Sequence, residues 1–360
     1  MQKAGRELEA IPKSVNEARR LTATGPVGVF LAEQLTEDDL SGLYWQGGGD
    51  ESGFPGFGPL KKYRGIAETR LVNHHRCINK LFEKVNRRLS DGDYYIVFVQ
   101  TISERKKQIV AGLPQIIGKV RYTMDFLIHR VLPKLAPTKR LYFAFTKGHN
   151  RAISLTESLG RLVYCGFEIQ EYRLIDGITC IVTRKVSAPS YNIHPTYGLI
   201  CTLNRVGKDG EFFKVYKLRT MYPYAEYVQS LIYMRNQLQK GGKFKNDFRI
   251  TWWGKKFRRL WIDELPMLWN WVRQDMKLVG VRPLSSQYYA LYPEDVRELR
   301  NRVRPGLIPP FYADLPETLE EIVESEKRYL ESYLEKPLRT DLRYFCLAAY
   351  NILVKRARSY

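Results

Sequence analysis

The sequence predicts an α/β (α+β) chain in two parts. An α/β domain covers residues 1–187, and a mostly helical domain with one short β-hairpin covers 188–360. Three observations carry this expectation. Short runs of β-formers such as YYIVFV alternate with helical periodicity only before residue 186. Residues 186–196 (VSAPSYNIHPT) carry two prolines and no periodicity, which marks a linker. After one further pair of strands, the pattern turns helical to the end of the chain.

The elements follow in order. Residues 1–60 read as irregular, with loop glycines at 47–49 and again in the run 53–59. A helix is expected from Glu68 to Leu89 and a buried strand over Tyr94–Thr101. Residues 114–133 read as an amphipathic helix ending near Pro133, and Leu141–Thr146 (LYFAFT) reads as a strand. Leu155–Cys165 is expected to be helical. Phe167–Leu174 and Ile178–Arg184 form two strands joined through Asp176–Gly177, a favoured hairpin pair. In the second part, Leu199–Arg205 and Phe212–Leu218 form a hairpin around Gly207–Gly210. Long helices are expected over Leu315–Leu334 and Asp341–Lys355.

Composition narrows the function. The chain has 360 residues and a formal net charge of +20, so it favours anionic partners: nucleic acid, a lipid surface or a phosphorylated small molecule. No run of about 18 apolar residues occurs, so no membrane span is expected. The N-terminus MQKAGRELEAIPKS has charges where a signal peptide needs an apolar stretch. The five cysteines and five histidines show no metal-ligand spacing, which argues against zinc. No zinc-finger, RNP-like or helix-turn-helix signature accompanies the basic charge, so no nucleic-acid partner is expected.

Half of the net charge falls in one sixth of the chain. Residues 201–260 hold 14 Lys or Arg against 4 Asp or Glu. Directly after them stand Asp263 and Glu264, in RRLWIDELPMLWNWV. Leu265, Leu268, Trp269 and Val272 have helical spacing, and Pro266 is tolerated in a first turn. Asp263 is therefore expected at or near a helix N-cap with Glu264 in the first turn, where free N–H groups favour phosphate. The bland alternative is a capping acid and a dipole partner. The sharper one takes Arg258 and Arg259 before the dyad, Arg282 after it, and Lys217, Arg219 and Arg249 upstream as a converging basic set. Such a set would keep Asp263 ionised and neutralise a diphosphate. Asp263 could then attack phosphorus, and Glu264 could activate an acceptor or hold Mg²⁺.

These motifs, taken together, resemble the bacterial sugar transferase family of monotopic phosphoglycosyl transferases. PTYGLICTLNRVGKDGEFFKVYKLRTM resembles the family's entry segment. DFRITWWGKKFRRLWIDELPMLWNWVRQDMKLVGVRP resembles its central signature, and VRPGLIPP its R-P-G element. The resemblance spans residues about 195–355. It implies transfer of a sugar phosphate from a nucleotide diphosphate sugar, usually a uridine one, to a polyprenyl phosphate. Asp263 and Glu264 would be catalytic, with Glu264 on Mg²⁺, and Lys217, Arg219, Arg249, Arg258, Arg259 and Arg282 would hold phosphates. Asp247 would brace the fold. The odd number of cysteines in a chain without a signal stretch points to the cytoplasm, and the resemblance, without the family's re-entrant helix, to a peripheral place at the inner face of the cytoplasmic membrane. A non-catalytic member binding a nucleotide sugar or a biosynthetic partner stays open.

The chain departs from the family in specific places. Residues 180–200 hold no apolar re-entrant helix, Val281 stands where the family has Pro, and only Glu226 remains of an acidic segment after the R-T-M motif. Ile116–Leu135, which mixes apolar residues with Lys119, Arg121, Arg130 and Lys134, is a candidate lipid-surface helix, or else packs on its own domain. GFEIQEYRLIDGITCIVTRKV (166–186) resembles the closing hairpin of a methyltransferase-like fold, so the first domain could be a degenerate form of it.

Overall fold

A computed structural model of the chain describes residues 25–46, 63–191, 198–236, 238–239, 243–244 and 247–355. The expected glycine loops at 47–59, residues 192–196 of the linker and residues 356–360 lie outside these residues. Contacts divide the chain into one unit of residues 1–194 with 223–231, and a second of 195–222 with 232–360.

The first unit opens with α1 (Pro26–Gln34), α2 (Glu37–Ser41) and β1 (Leu43–Gln46), followed by β2 (Gly65–Glu68). For residues 25–46 the expectation of irregular chain is therefore corrected, while 1–24 and 47–60 lie outside the described residues. These elements are short and were hidden by flanking glycines. α3 (Ile78–Arg88) is amphipathic, burying Ile78, Leu81, Phe82 and Val85 at helical spacing. The helix expected from Glu68 thus starts ten residues later, because Gly65–Glu68 is taken into the sheet. β3 (Tyr94–Val99) follows, then α4 (Ile102–Val110), α5 (Gln115–Phe126) and α6 (Ala136–Thr146).

The strand expected at Leu141–Thr146 is instead the second half of α6. Pro137 in its first turn favours a helical start, and Tyr142 and Phe143 turn inward while Leu141 and Phe145 stay exposed. A six-residue apolar run cannot separate the two structures by period. α7 (Leu155–Tyr164), β4 (Phe167–Ile175) and β5 (Ile178–Lys185) complete the unit.

The sheet order is β1-β2-β3-β5-β4, with β1, β2 and β3 parallel and β5 antiparallel to both its neighbours. β3 is apolar at every position because it sits between β2 and β5 and buries both faces. Asp176 and Gly177 both take positive φ, as a two-residue hairpin turn requires. This hairpin is the expected one, but nothing else supports a methyltransferase-like domain.

Ser154 caps α7 by accepting from Glu157 N. The Glu157 side chain is fully buried between Arg130, Lys134 and Arg161. Burial alone would raise its carboxyl, but Arg130, Lys134 and Arg161 hold it well below the usual range. Arg130 and Lys134 thus serve the interior, against the expectation that they belong to a lipid-facing set. Residues 223–231 join this unit through Tyr224. Its hydroxyl accepts from Asn79 Nδ2 at 2.9 Å, and a Cβ on Gly160 would lie 2.2 Å from its carbonyl oxygen.

The second unit contains the expected hairpin, β6 (Ile200–Val206) with β7 (Phe212–Leu218), antiparallel and in register. After it come α8 (Gln229–Asn236), whose first turn belongs to the first unit, the short pair β8 (Leu238–Gln239) and β9 (Lys243–Phe244), α9 (Trp252–Arg259) and α10 (Met267–Val272). β10 (Lys277–Val279) pairs in parallel with β11 (Gly306–Ile308), and Gly280 and Gly306 permit a contact that any side chain would block. α11 (Ser286–Tyr289), α12 (Glu294–Asn301), α13 (Phe311–Asp314), α14 (Leu319–Glu335) and α15 (Pro337–Leu353) enclose a core that includes Val279, Val296, Tyr329 and Tyr344. Lys277 bonds Asp341 at 2.9 Å, which ties β10 to α15.

Candidate active site

All eight residues singled out in the sequence lie in the second unit, and four of them share one electrostatic neighbourhood. β7 supplies Lys217, whose register partner on β6 is Cys201. A turn of 3-10 helix, Ile262–Glu264, supplies the dyad. Asp263 is buried, while Glu264 is partly exposed. Lys217 Nζ donates to Glu264 Oε1 at 2.7 Å.

The dyad does not cap a helix. α10 begins at Met267, with Pro266 as its N-cap, and is only six residues long. The expected phosphate site at the helix start is therefore withdrawn. What shapes the dyad instead is Trp261, a non-glycine residue with φ of 54°, whose Nε1 donates to Tyr312 Oη at 2.7 Å. A left-handed residue of this size needs such an anchor to persist.

Electrostatics also differ from expectation. Burial raises the Asp263 carboxyl above its ordinary value. Lys217 and Arg258 pull it down, and Glu264 adds to the rise. The basic set moderates the cost of burying this carboxylate without cancelling it. The same field reaches Cys201, whose thiol is raised by burial against the pull of Arg219 and Lys217.

Arg258 is placed by a close approach of α9 to the segment just after β7. Thr251 caps α9, and a Cβ on Gly254 would fall 2.1 Å from Thr220 O. One turn later Arg258 Nε donates to Thr220 Oγ1 at 2.9 Å. Burial lowers the Arg258 guanidinium, Asp263 and Asp247 raise it, and Arg249 and Arg282 add to the lowering. Arg282 is exposed on the loop after β10, and its carbonyl accepts from Arg300.

The other cations are used differently. Arg249 is buried in a bidentate pair with Asp247, at 2.9 and 2.7 Å, so Asp247 braces an arginine. Arg219 Nε donates to Gly198 O, and Arg259 is exposed on α9. No cluster of three or more His, Cys, Asp or Glu side chains suited to a metal occurs among the described residues.

Sequence reasoning passed over Asn270. Its side chain is fully buried, accepts from Tyr216 N at 3.1 Å and donates to Lys214 O at 2.7 Å. An amide on α10 thus completes the backbone bonding of β7 just before Lys217. Its signal was a polar residue within an apolar helical run, which demands buried partners. Beside the dyad, Leu265, Leu268, Trp269 and Val272 are exposed, an apolar surface next to a charged one.

Residues 181–355 match the family model described as bacterial sugar transferase. Among similar proteins, a galactosyl transferase of Streptococcus agalactiae is 39% identical over 110 residues, which cover 30% of this chain and 24% of that protein. An undecaprenyl-phosphate galactose phosphotransferase of Salmonella typhimurium is 39% identical over 97 residues, covering 26% and 20%. An exopolysaccharide production protein of Sinorhizobium fredii is 35% identical over 108 residues, covering 29% and 47%. The matched stretch thus spans less than half the length of each of these relatives.

Proposed function

We propose, from the premise that residues 181–355 belong to the bacterial sugar transferase family, that this protein transfers a sugar phosphate to a polyprenyl phosphate. The donor is a nucleotide diphosphate sugar, and the route is a covalent phosphosugar intermediate on Asp263. One observation carries the reading: Asp263 is a buried carboxylate within the field of Lys217 and Arg258, beside a second carboxylate already engaged by Lys217. Relatives named for UDP-galactose and UDP-N-acetylgalactosamine favour a uridine donor.

In the first step an Asp263 carboxylate oxygen attacks the sugar-linked phosphorus. The bond from that phosphorus to the bridging oxygen breaks, and the nucleoside monophosphate leaves with the electron pair. Arg258 and Arg282 hold the phosphates, and Lys217 offsets charge at the dyad. In the second step a phosphate oxygen of the lipid attacks the same phosphorus and releases the Asp263 carboxylate. Arg249 acts as a brace, and Arg219 and Arg259 stand at the margin.

Glu264 keeps Oε2 without a protein partner among the described residues, so it is the residue that would hold a Mg²⁺ ion. When bound there, such an ion offsets charge on the phosphate oxygens. The exposed Leu265, Leu268, Trp269 and Val272 suit an acceptor with an apolar tail, and with it a site of work at the membrane surface.

The test is transfer of radiolabel from a nucleotide sugar to polyprenyl phosphate. Asp263→Asn should abolish transfer, and undiminished activity in that variant would overturn the nucleophile assignment.

A further inference from the structure

We propose that α5 of the first unit is a docking surface for an anionic lipid bilayer. The proposal deepens the proposed function, on which it rests, because a lipid phosphate acceptor must be met at a membrane. No helix among the described residues is long and apolar enough to cross one.

The argument starts from how α5 is held. Gly118 faces Val110 of α4 so closely that a Cβ would lie 2.8 Å from Val110 Cγ1. Asp125 accepts from Arg105 of α4 through both oxygens, at 2.7 and 2.6 Å. These contacts fix one face of α5 on α4. The other face carries Ile116, Ile117, Val120 and Met124, all exposed, with Ile116 at 78%. At 100° per residue they fall within an arc of about 100°. Leu127 and Ile128 extend the exposed apolar run into the π-helical turn Leu127–Val131. The alternative, that this segment buries its apolar residues on its own domain, does not hold for this face.

Charge identifies the occupant. On the helix wheel Lys119 and Arg121 flank the two edges of the apolar arc, where long basic side chains lie along an interface with their heads in the polar layer. From residue 106 to 147 the chain holds nine Lys or Arg and one acid, Asp125, which Arg105 engages; Arg130 and Lys134 pair with buried Glu157, and the other seven cations are exposed. On the following helix, Leu141 and Phe145 are exposed beside the exposed Lys139 and Arg140. A protein partner would need a matching acidic rim around an apolar groove. An anionic bilayer surface supplies negative headgroups above an apolar layer everywhere.

Flotation of the full chain tests this, using phosphatidylethanolamine–phosphatidylglycerol vesicles against phosphatidylcholine vesicles. The chain should bind the anionic vesicles at least tenfold better. Val120→Asp with Met124→Asp should lower that binding at least tenfold, and Lys119→Glu with Arg121→Glu severalfold. All four positions are exposed, and an unchanged thermal melt verifies folding for each pair. Phosphosugar adduct formation at Asp263, which needs no membrane, should persist in both variants.

Wild-type binding by both variants would overturn the proposal, as would failure of the wild type to float. So would a dimer in sedimentation velocity that the Asp pair dissociates, since that would make the face a protein interface. Lost flotation in variants of a chain that never forms an adduct would retain the docking surface and remove the proposed function. Adducts with unaltered flotation in the variants would do the reverse.

Discussion

Lys217 and Glu264 form an ion pair of 2.7 Å between β7 and the dyad turn. The last cation of the hairpin therefore engages the second carboxylate directly and acts on Asp263 through its field. Both partners are largely shielded from solvent, so the pair is worth more than a typical surface bridge.

Lys217→Met should slow the first step on the order of 100-fold, the scale of losing one electrostatic contact to a reacting group. It should also move the pH profile. Asp263 reacts as the carboxylate, so the rate falls as pH drops through its pKa, which burial already raises. Removing Lys217 raises that pKa further and shifts the acid limb to higher pH. A pH–rate series on adduct formation checks this, and an unmoved limb would separate Lys217 from Asp263.

Gly254→Ala should destabilise the second unit by about 1–3 kcal/mol, because the new Cβ meets Thr220 O and α9 has to shift. The shift carries Arg258 off Thr220 Oγ1. Urea unfolding with a donor-binding assay should therefore show both stability and affinity reduced. Lost stability with intact affinity would mean that Arg258 does not hold the donor.

Glu157→Gln should cost about 3–5 kcal/mol, since it leaves Arg130, Lys134 and Arg161 around a neutral amide in a buried site. Thermal or urea melts measure it. A loss under about 1 kcal/mol would show that the three cations find water or other partners.

Glu68 at the end of β2 gives a pH signature. It is 1% exposed, its Oε2 has no hydrogen-bond partner, and burial raises its carboxyl from 4.5 to about 7. Below pH 4.5 the group is neutral in folded and unfolded chains alike. Between 4.5 and about 7 only the unfolded chain ionises, so the contribution to stability is lost as pH rises through that window. The loss amounts to up to about 3 kcal/mol. Glu68→Gln should flatten this dependence in melts taken from pH 4.5 to 8, and an identical slope in the variant would contradict it.

The parts legible in sequence were those whose local chemistry and tertiary role agree. The β4–β5 turn at Asp176–Gly177, the β6–β7 hairpin and the apolar β3 were all readable from residue type. β1 and β2 were not, since four-residue strands carry too little periodicity. LYFAFT misled because a short run of apolar and aromatic residues mimics a buried strand, while Pro137 and packing decide for helix. At the site, the dyad and its basic company could be read as a cluster. Its geometry could not: the 3-10 turn depends on Trp261 meeting Tyr312, 51 residues away. The capture of Arg249 by Asp247 and the strand-like role of Asn270 likewise depend on side-chain placement. The direction of the Asp263 shift depends on burial, which charge counting leaves out.

The central claim is that Asp263 becomes covalently bonded to a phosphosugar, and intact-mass measurement tests it most directly. The purified chain is incubated with a UDP-sugar in the absence of lipid acceptor, quenched in acid and weighed, with Asp263→Asn alongside. The wild type should gain the mass of one sugar phosphate, localised by peptide mapping to the segment holding Asp263, and the variant should gain nothing. A wild type that releases nucleoside monophosphate without gaining mass, or a variant that gains the same mass, would contradict the account.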